Sequence, residues 1–151
     1  KWSEHIFREW IGVMLRKGVP QNEAIKRASK ADAAFPDARV LKYEGLIGGL
    51  KLPDVNDQHV LAAAIKTNAN VIVTNTIKDF PSQYLASFGL SAKTADDLLT
   101  DIIDLNANQA LIAFKEMVLY RRNPDLNEFQ ILDRLRKSGL IKTADYLHSQ
   151  L

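Results

Sequence analysis

The sequence predicts an α/β domain followed by a helical appendage, and three observations carry that prediction. A helix with small and apolar inward residues runs almost directly into Val71-Ile72-Val73-Thr74, which is short, apolar and β-branched, as a buried parallel strand should be. Helix followed by buried strand is half of a βαβ unit. From Thr94 to the end, by contrast, the pattern reads as helix without strand.

Each element follows from local chemistry. Ser3 can cap a first helix to about Arg16, in which Ile6, Trp10, Val13 and Met14 make an apolar stripe widened by Phe7 and Ile11. Gly18 and Pro20 end it. Asn22 is expected to cap a second helix to about Ala34, with Ala24, Ile25, Ala28 and Ala31 inward, before Phe35-Pro36-Asp37 breaks the pattern. Residues 40–52 support two readings: a short strand at 40–43, or a helical turn at 43–47 ahead of Gly48-Gly49. The polar turn 52–57 opens a helix through Val60, Leu61, Ala64 and Ile65, which Asn68 and Asn70 stop. In the appendage, helices are expected over 94–105, 108–122, 127–138 and 143–150, punctuated by Asn106 and Asn108, by Asn123-Pro124-Asp125 and by Gly139.

A length of 151 residues suits one domain, or a small domain with an appendage, and permits a real core. The 46% apolar and 25% charged fractions are those of an ordinary globular chain. A net charge of +2 does not demand a nucleic-acid partner, although basic residues gather at Lys26, Arg27 and Lys30, at Arg121 and Arg122, and at Arg134, Arg136 and Lys137. Such runs attract phosphate; a solvated helix face is their commoner origin. Without cysteine, disulfides, thiolate chemistry and cysteine-ligated zinc are excluded, and a reducing cytoplasm is the expected setting. The longest apolar runs, 60–65 and 71–73, are too short to cross a bilayer, so no membrane partner is expected. The chain starts at Lys1 without methionine or leader and enters an amphipathic helix at once, which leads us to expect an N-terminal truncation or cleavage.

The block Asp54-Val55-Asn56-Asp57-Gln58-His59-Val60-Leu61-Ala62-Ala63-Ala64, then Val71-Ile72-Val73-Thr74-Asn75 and Lys78-Asp79-Phe80-Pro81, carries the chemistry. It places acidic residues at a helix start and polar and acidic residues where a strand ends, which in open parallel sheets is where ligands bind. Carboxylates converging there repel one another, and Mg²⁺ or Mn²⁺ relieves the repulsion through oxygen ligands. The blander reading is that Asp54 and Asp57 merely favour a helix N-terminus, worth about 0.3–1 kcal/mol each, and that Asp79 is a turn residue.

That block resembles the third and fourth acidic motifs of PIN domains, most closely the VapC-type toxin ribonucleases with a helical C-terminal extension. Trp2-Ser3-Glu4-His5-Ile6-Phe7-Arg8-Glu9-Trp10 resembles the second motif of that branch. The resemblance spans residues 1–90, and beyond it only the helical pattern is similar. It implies a PIN-like three-layer α/β/α domain with a short parallel sheet over 1–90 and a helical extension over 91–151. It further implies a Mg²⁺-dependent endoribonuclease (Mn²⁺ being the other candidate), with RNA as substrate and a cognate antitoxin as partner. Residue by residue, Glu9 would be the second acidic residue and Asp57 the third. At the fourth position the family's aspartate falls on Thr76; Asp79 is the nearest charge and is preferred for the metal, with Asn75 or Thr74 positioning water or phosphate.

This sequence departs from the family at its front, where PIN domains have a central strand ending in an aspartate. Nothing here matches that strand. The expectation is therefore a rearranged sheet, a strand-donating partner or a homo-oligomer covering the gap, weak or absent metal binding, and little or no turnover by the chain as given.

His59, two residues after Asp57, could be a catalytic base but is expected to be a packing or hydrogen-bonding residue of a helix; His5 and His148 have no partner visible in sequence. Trp2 and Trp10 are read as core or interface aromatics rather than base-stacking platforms. Two functions are weighed: the ribonuclease toxin, and a non-catalytic module that binds an antitoxin or itself through apolar helix faces. A nucleotide-binding protein is disfavoured because Gly48-Gly49 lacks a phosphate-loop fingerprint.

Overall fold

Ser3 begins the first helix as its spacing predicts: its hydroxyl accepts from the Ile6 amide at 3.3 Å, and α1 runs Glu4–Arg16. The computed structural model describes residues 1–121 and 124–151. Arg122, read above as part of a basic cluster and of a helix, and Asn123, read as part of a turn, lie outside the described residues. Gly18, at φ +80°, turns the chain after α1 where a side chain would be strained. Helix α2 covers Gln21–Ala34 and has Pro20, not Asn22, at its cap position. Asn22 lies inside the helix, its side-chain oxygen accepting from the Glu23 amide at 2.9 Å. Pro20 displaces the expected cap because its fixed φ suits a helix entrance without any side-chain bond.

The ambiguous stretch resolves toward the helical turn: residues 40–43 form no strand, Lys42 at φ +59° breaking the extended backbone there, and the pairing nearby is a single bridge one residue earlier. Arg39 forms a parallel bridge with Trp2, through Trp2 N–H to Ala38 O (2.9 Å) and Val40 N–H to Trp2 O (2.8 Å). A single helical turn, α3, then spans Glu44–Ile47. Helix α4 covers Gln58–Lys66, and the chain turns away two residues later at Asn68, whose φ of +49° is the left-handed conformation asparagine tolerates. Strand β1 is Val71–Val73. A short helix, α5, Ser82–Ala86, leads to strand β2, Ser91–Lys93. The two strands pair in parallel: Ser91 N–H donates to Asn70 O and Thr74 N–H to Lys93 O, each at 3.0 Å, so both chains advance in the same direction. Neither α5 nor β2 was visible in the sequence.

By their internal contacts the residues divide into two units, 1–72 with 76–92 and 73–75 with 93–151. The first has its core in Val40, Tyr43, Leu50, Leu52, Leu61, Ala62, Ile72, Phe80, Leu85 and Leu90, where α4 supplies four consecutive buried side chains at Leu61–Ala64. Alanines there let α4 lie close to its neighbours, and Leu61 and Ala62 are fully buried.

The second unit is helical apart from its strand residues: α6 Ala95–Leu105, α7 Ala107–Tyr120, α8 Glu128–Lys137 and α9 Ile141–Ser149. Thr94 caps α6, Asn106 caps α7, and Asn127 with Gln130 forms a reciprocal capping box on α8. Ile103, Phe114, Ile131, Leu132, Ala144 and Leu147 form its core. Helix α9 packs on both α6 and α8. Among the described residues, no helix is long and apolar enough to cross a membrane.

Candidate functional site

Asp54 and Asp57 share the turn that opens α4, yet only one of them behaves as a cap. Asp54 Oδ1 accepts from the Asn56 amide (2.8 Å) and from Asn56 Nδ2 (2.9 Å), which folds Val55–Asp57 into a 3-10 turn. Asp57 then stands at the cap position of α4 but makes no side-chain cap hydrogen bond. Its carboxylate is therefore not engaged in holding the helix end.

Glu9 comes from the middle of α1. His59, in the first turn of α4 and 7% exposed, meets it: Nε2 lies 2.9 Å from Glu9 Oε1. An ionised carboxylate only accepts, so the imidazole donates. Nδ1 of His59 is buried without a hydrogen-bond partner among the described residues. The ring stacks on His5, with centroids 4.9 Å apart at 25°, and His5 Nδ1 is hydrogen-bonded to the buried Tyr43 hydroxyl. The histidine expected to pack or hydrogen-bond does both, and the partner is an acidic residue 50 positions away.

Asp79 closes the group. It ends the 3-10 turn Ile77–Asp79, its amide donating to Thr76 O at 2.9 Å, and the next residue, Phe80, is anchored in the core. The Asp57 carboxyl is pushed above its ordinary range, first by partial burial and then by the charges of Asp54, Asp79 and Glu9; the His59 imidazole pulls the other way. Glu9, Asp57 and Asp79, drawn from three separate stretches of sequence, are thus within electrostatic reach of one point.

As placed, they do not form a finished cage: among the described residues, no group of three His, Asp or Glu side chains is arranged to hold a metal ion. The donors nonetheless suit a hard divalent cation in kind and charge. They offer carboxylate oxygens, and the upward push on Asp57, owed first to burial, includes a repulsion from neighbouring carboxylates that such an ion relieves.

Thr74 and Asn75, expected beside the acidic residues, belong to the second unit. The Thr74 amide donates to Lys93 O, and Asn75 lines a depression with Thr94, Asp96, Asp97, Ser138 and Lys142. Sequence reasoning did not find His5. The signal was present: His5 and Glu9 are four residues apart on one helix, and therefore neighbours on one face.

With this geometry in view, comparison with known proteins is informative. Residues 95–149 match the family described as the VapC50 C-terminal domain. Over 120 residues the chain is 32% identical to "Putative ribonuclease VapC50" of Mycobacterium tuberculosis (strain ATCC 25618 / H37Rv), an alignment covering 80% of this chain and 69% of that protein. No solved structure matches the chain. A short parallel sheet, a helical C-terminal region and this degree of identity lead to one conclusion: the chain belongs to the VapC family, with a PIN-like α/β fold and a helical C-terminal extension.

Proposed function

We propose that residues 1–90 form the nuclease part, and 91–151 the extension, of a divalent-metal-dependent endoribonuclease, the toxin of a type II toxin–antitoxin pair acting in the cytoplasm. Glu9, Asp57 and Asp79 are its Mg²⁺ ligands, with Mn²⁺ as a substitute. The observation that carries this reading is an Asp57 carboxylate that caps no helix, is partly buried and lies near other carboxylates, with Glu9 held in place by His59 at 2.9 Å, an arrangement unfavourable in itself that makes sense where a cation is to be taken up. The similar protein's name, which specifies a ribonuclease, agrees with it.

When bound, the ion supplies an activated water and charge stabilisation for in-line attack on a phosphodiester. The chain's own part is to present acidic oxygens from α1, from the start of α4 and from the turn ending at Asp79. Surface lysines and arginines neutralise RNA phosphates. A cognate antitoxin is the proposed inhibitor.

Incubation of RNA with stoichiometric protein tests the reading. Cleavage that appears with Mg²⁺, stops with EDTA and is lost in Asp57→Asn supports it. Cleavage indifferent to both metal and substitution overturns it.

A second reading, a non-catalytic module that binds the antitoxin or itself, is favoured by one observation. Helix α7 carries apolar side chains on its outer surface as well as its inner one, among them Ile112, Met117, Leu119 at 75% and Tyr120 at 80% exposure. Self-association measured by sedimentation, with no cleavage under any metal, would favour this alternative.

A further inference from the structure

We propose that His59 is the positioning residue of the acidic site, a buried imidazole that aims the Glu9 carboxylate toward Asp57 so that both can take one cation. The proposal rests on the metal-dependent reading above and adds to it a residue with no direct part in the chemistry.

The argument begins with contrast in burial. Glu9 is a long, flexible side chain with 58% of its surface exposed, on an outer face of α1 where a glutamate ordinarily wanders. His59 is 8% exposed on its side chain and fixed in α4 with its ring stacked on His5. A rigid donor thus holds a mobile acceptor. The hold has depth: His5 stacks on His59, and Tyr43, 1% exposed, is hydrogen-bonded to His5. Tyr43, His5 and His59 together fix the direction in which Nε2 points.

That direction matters because a carboxylate has two oxygens. Oε1 of Glu9 accepts from His59, and a carboxylate so engaged keeps further lone pairs for an ion. Hydrogen-bonded ligating carboxylates are a general feature of metal sites, and their outer partners tune affinity. A role as general base does not fit. Nε2 is occupied by Glu9, and Nδ1 is buried away from any water a substrate would bring.

Calorimetric Mg²⁺ titration of the unmutated chain, His59→Leu, His59→Gln and Asp57→Asn, with thermal melting of each, tests this. His59→Leu removes the donor and is expected to weaken Mg²⁺ binding by about 10–100-fold. His59→Gln, which offers an amide N–H at similar reach, restores most of that loss. Equal affinity in His59→Leu and the unmutated chain overturns the inference, as does a His59→Gln variant as weak as His59→Leu. Asp57→Asn separates the two ideas: if it too leaves Mg²⁺ affinity unchanged, or if the unmutated chain takes up no Mg²⁺, the metal-dependent reading falls as well. Should His59→Leu fail to fold, the unmutated protein still decides. The ¹⁵N resonance of His59 Nε2 is expected to shift on Mg²⁺ addition with the midpoint of the binding isotherm, and to stop responding in Glu9→Ala. A resonance that ignores Mg²⁺ overturns the inference.

Discussion

Asp57 and Asp96 stand at comparable places, one before the first turn of α4 and the other within the first turn of α6, and their carboxyls titrate in opposite directions. Asp57 is pushed up by burial and by three neighbouring carboxylates, and it caps nothing. Asp96 is held below the usual range: burial works against it, but the backbone amides of Thr143 and Lys142, each 2.9 Å away, more than compensate. Asp96 therefore caps the start of α9 from α6 and staples two helices together. Its neighbour Asp97 is lowered too, by Lys142 Nζ at 2.6 Å and by the Thr94 hydroxyl. The second unit satisfies Asp96 and Asp97 with its own donors. The first leaves Asp57 under repulsion, as functional sites often do at the expense of local stability.

The comparison is tested hardest at Asp57 itself. Asp57→Asn removes the repelled charge without removing a cap bond, so it is expected to cut RNA cleavage by at least about 100-fold, the upper end for a group merely supporting a ligand. The same variant should melt about 1–3 °C higher, since relief of repulsion well under 1 kcal/mol moves the transition by that much in a domain of this size. Loss of activity together with loss of stability would show that Asp57 is an ordinary structural residue.

Asp96→Ala should do the reverse. It deletes both amide partners of the α9 start, and a lost cap costs about 1–2 kcal/mol, visible as a lower melting temperature. Mg²⁺ affinity should not change. Asn127→Ala, which breaks the capping box on α8, is expected to cost nearer 1 kcal/mol and likewise to spare metal binding. If either variant weakens Mg²⁺ binding as much as Asp57→Asn does, the division between a structural and a functional set of carboxylates fails.

Sequence carried the local elements well, because their causes are local. Ser3, Thr94 and Asn127 cap where their side chains can reach an amide three residues on, and β1 reads directly from Val71-Ile72-Val73. Strand β2 was invisible because Ser91-Ala92-Lys93 has neither apolar alternation nor branching; pairing with β1 makes it a strand, not its own propensity. The acidic group was half legible. Asp57, Asp79 and Glu9 come from spacing and resemblance, but the Glu9–His59 bond, the stack on His5 and the Asp54 contribution to Asp57 exist only once α1 and α4 lie together. The cap at Asn22 failed because Pro20 occupied the helix entrance first.

The smallest expected effect is the pH dependence, and its sign separates the two units. For Asp57 the folded pKa lies above the unfolded value, so the folded state binds a proton more readily; stability contributed by this group rises as pH falls through its folded pKa and levels off below the unfolded value of 3.8. For Asp96 the folded pKa is depressed, so its contribution is complete above 3.8 and is lost as pH falls through the lower folded value. Between neutral pH and about 4, backbone amide exchange in α4 should therefore slow slightly, relative to Asp57→Asn measured alongside, while exchange in α9 stays level. Below that range α9 should loosen first. Added Mg²⁺ should erase the α4 trend, because an ion that neutralises the crowd removes the reason for Asp57 to keep its proton. If α4 and α9 instead respond to acid alike in the unmutated chain and in Asp57→Asn, the carboxylates of the two units are not differently placed.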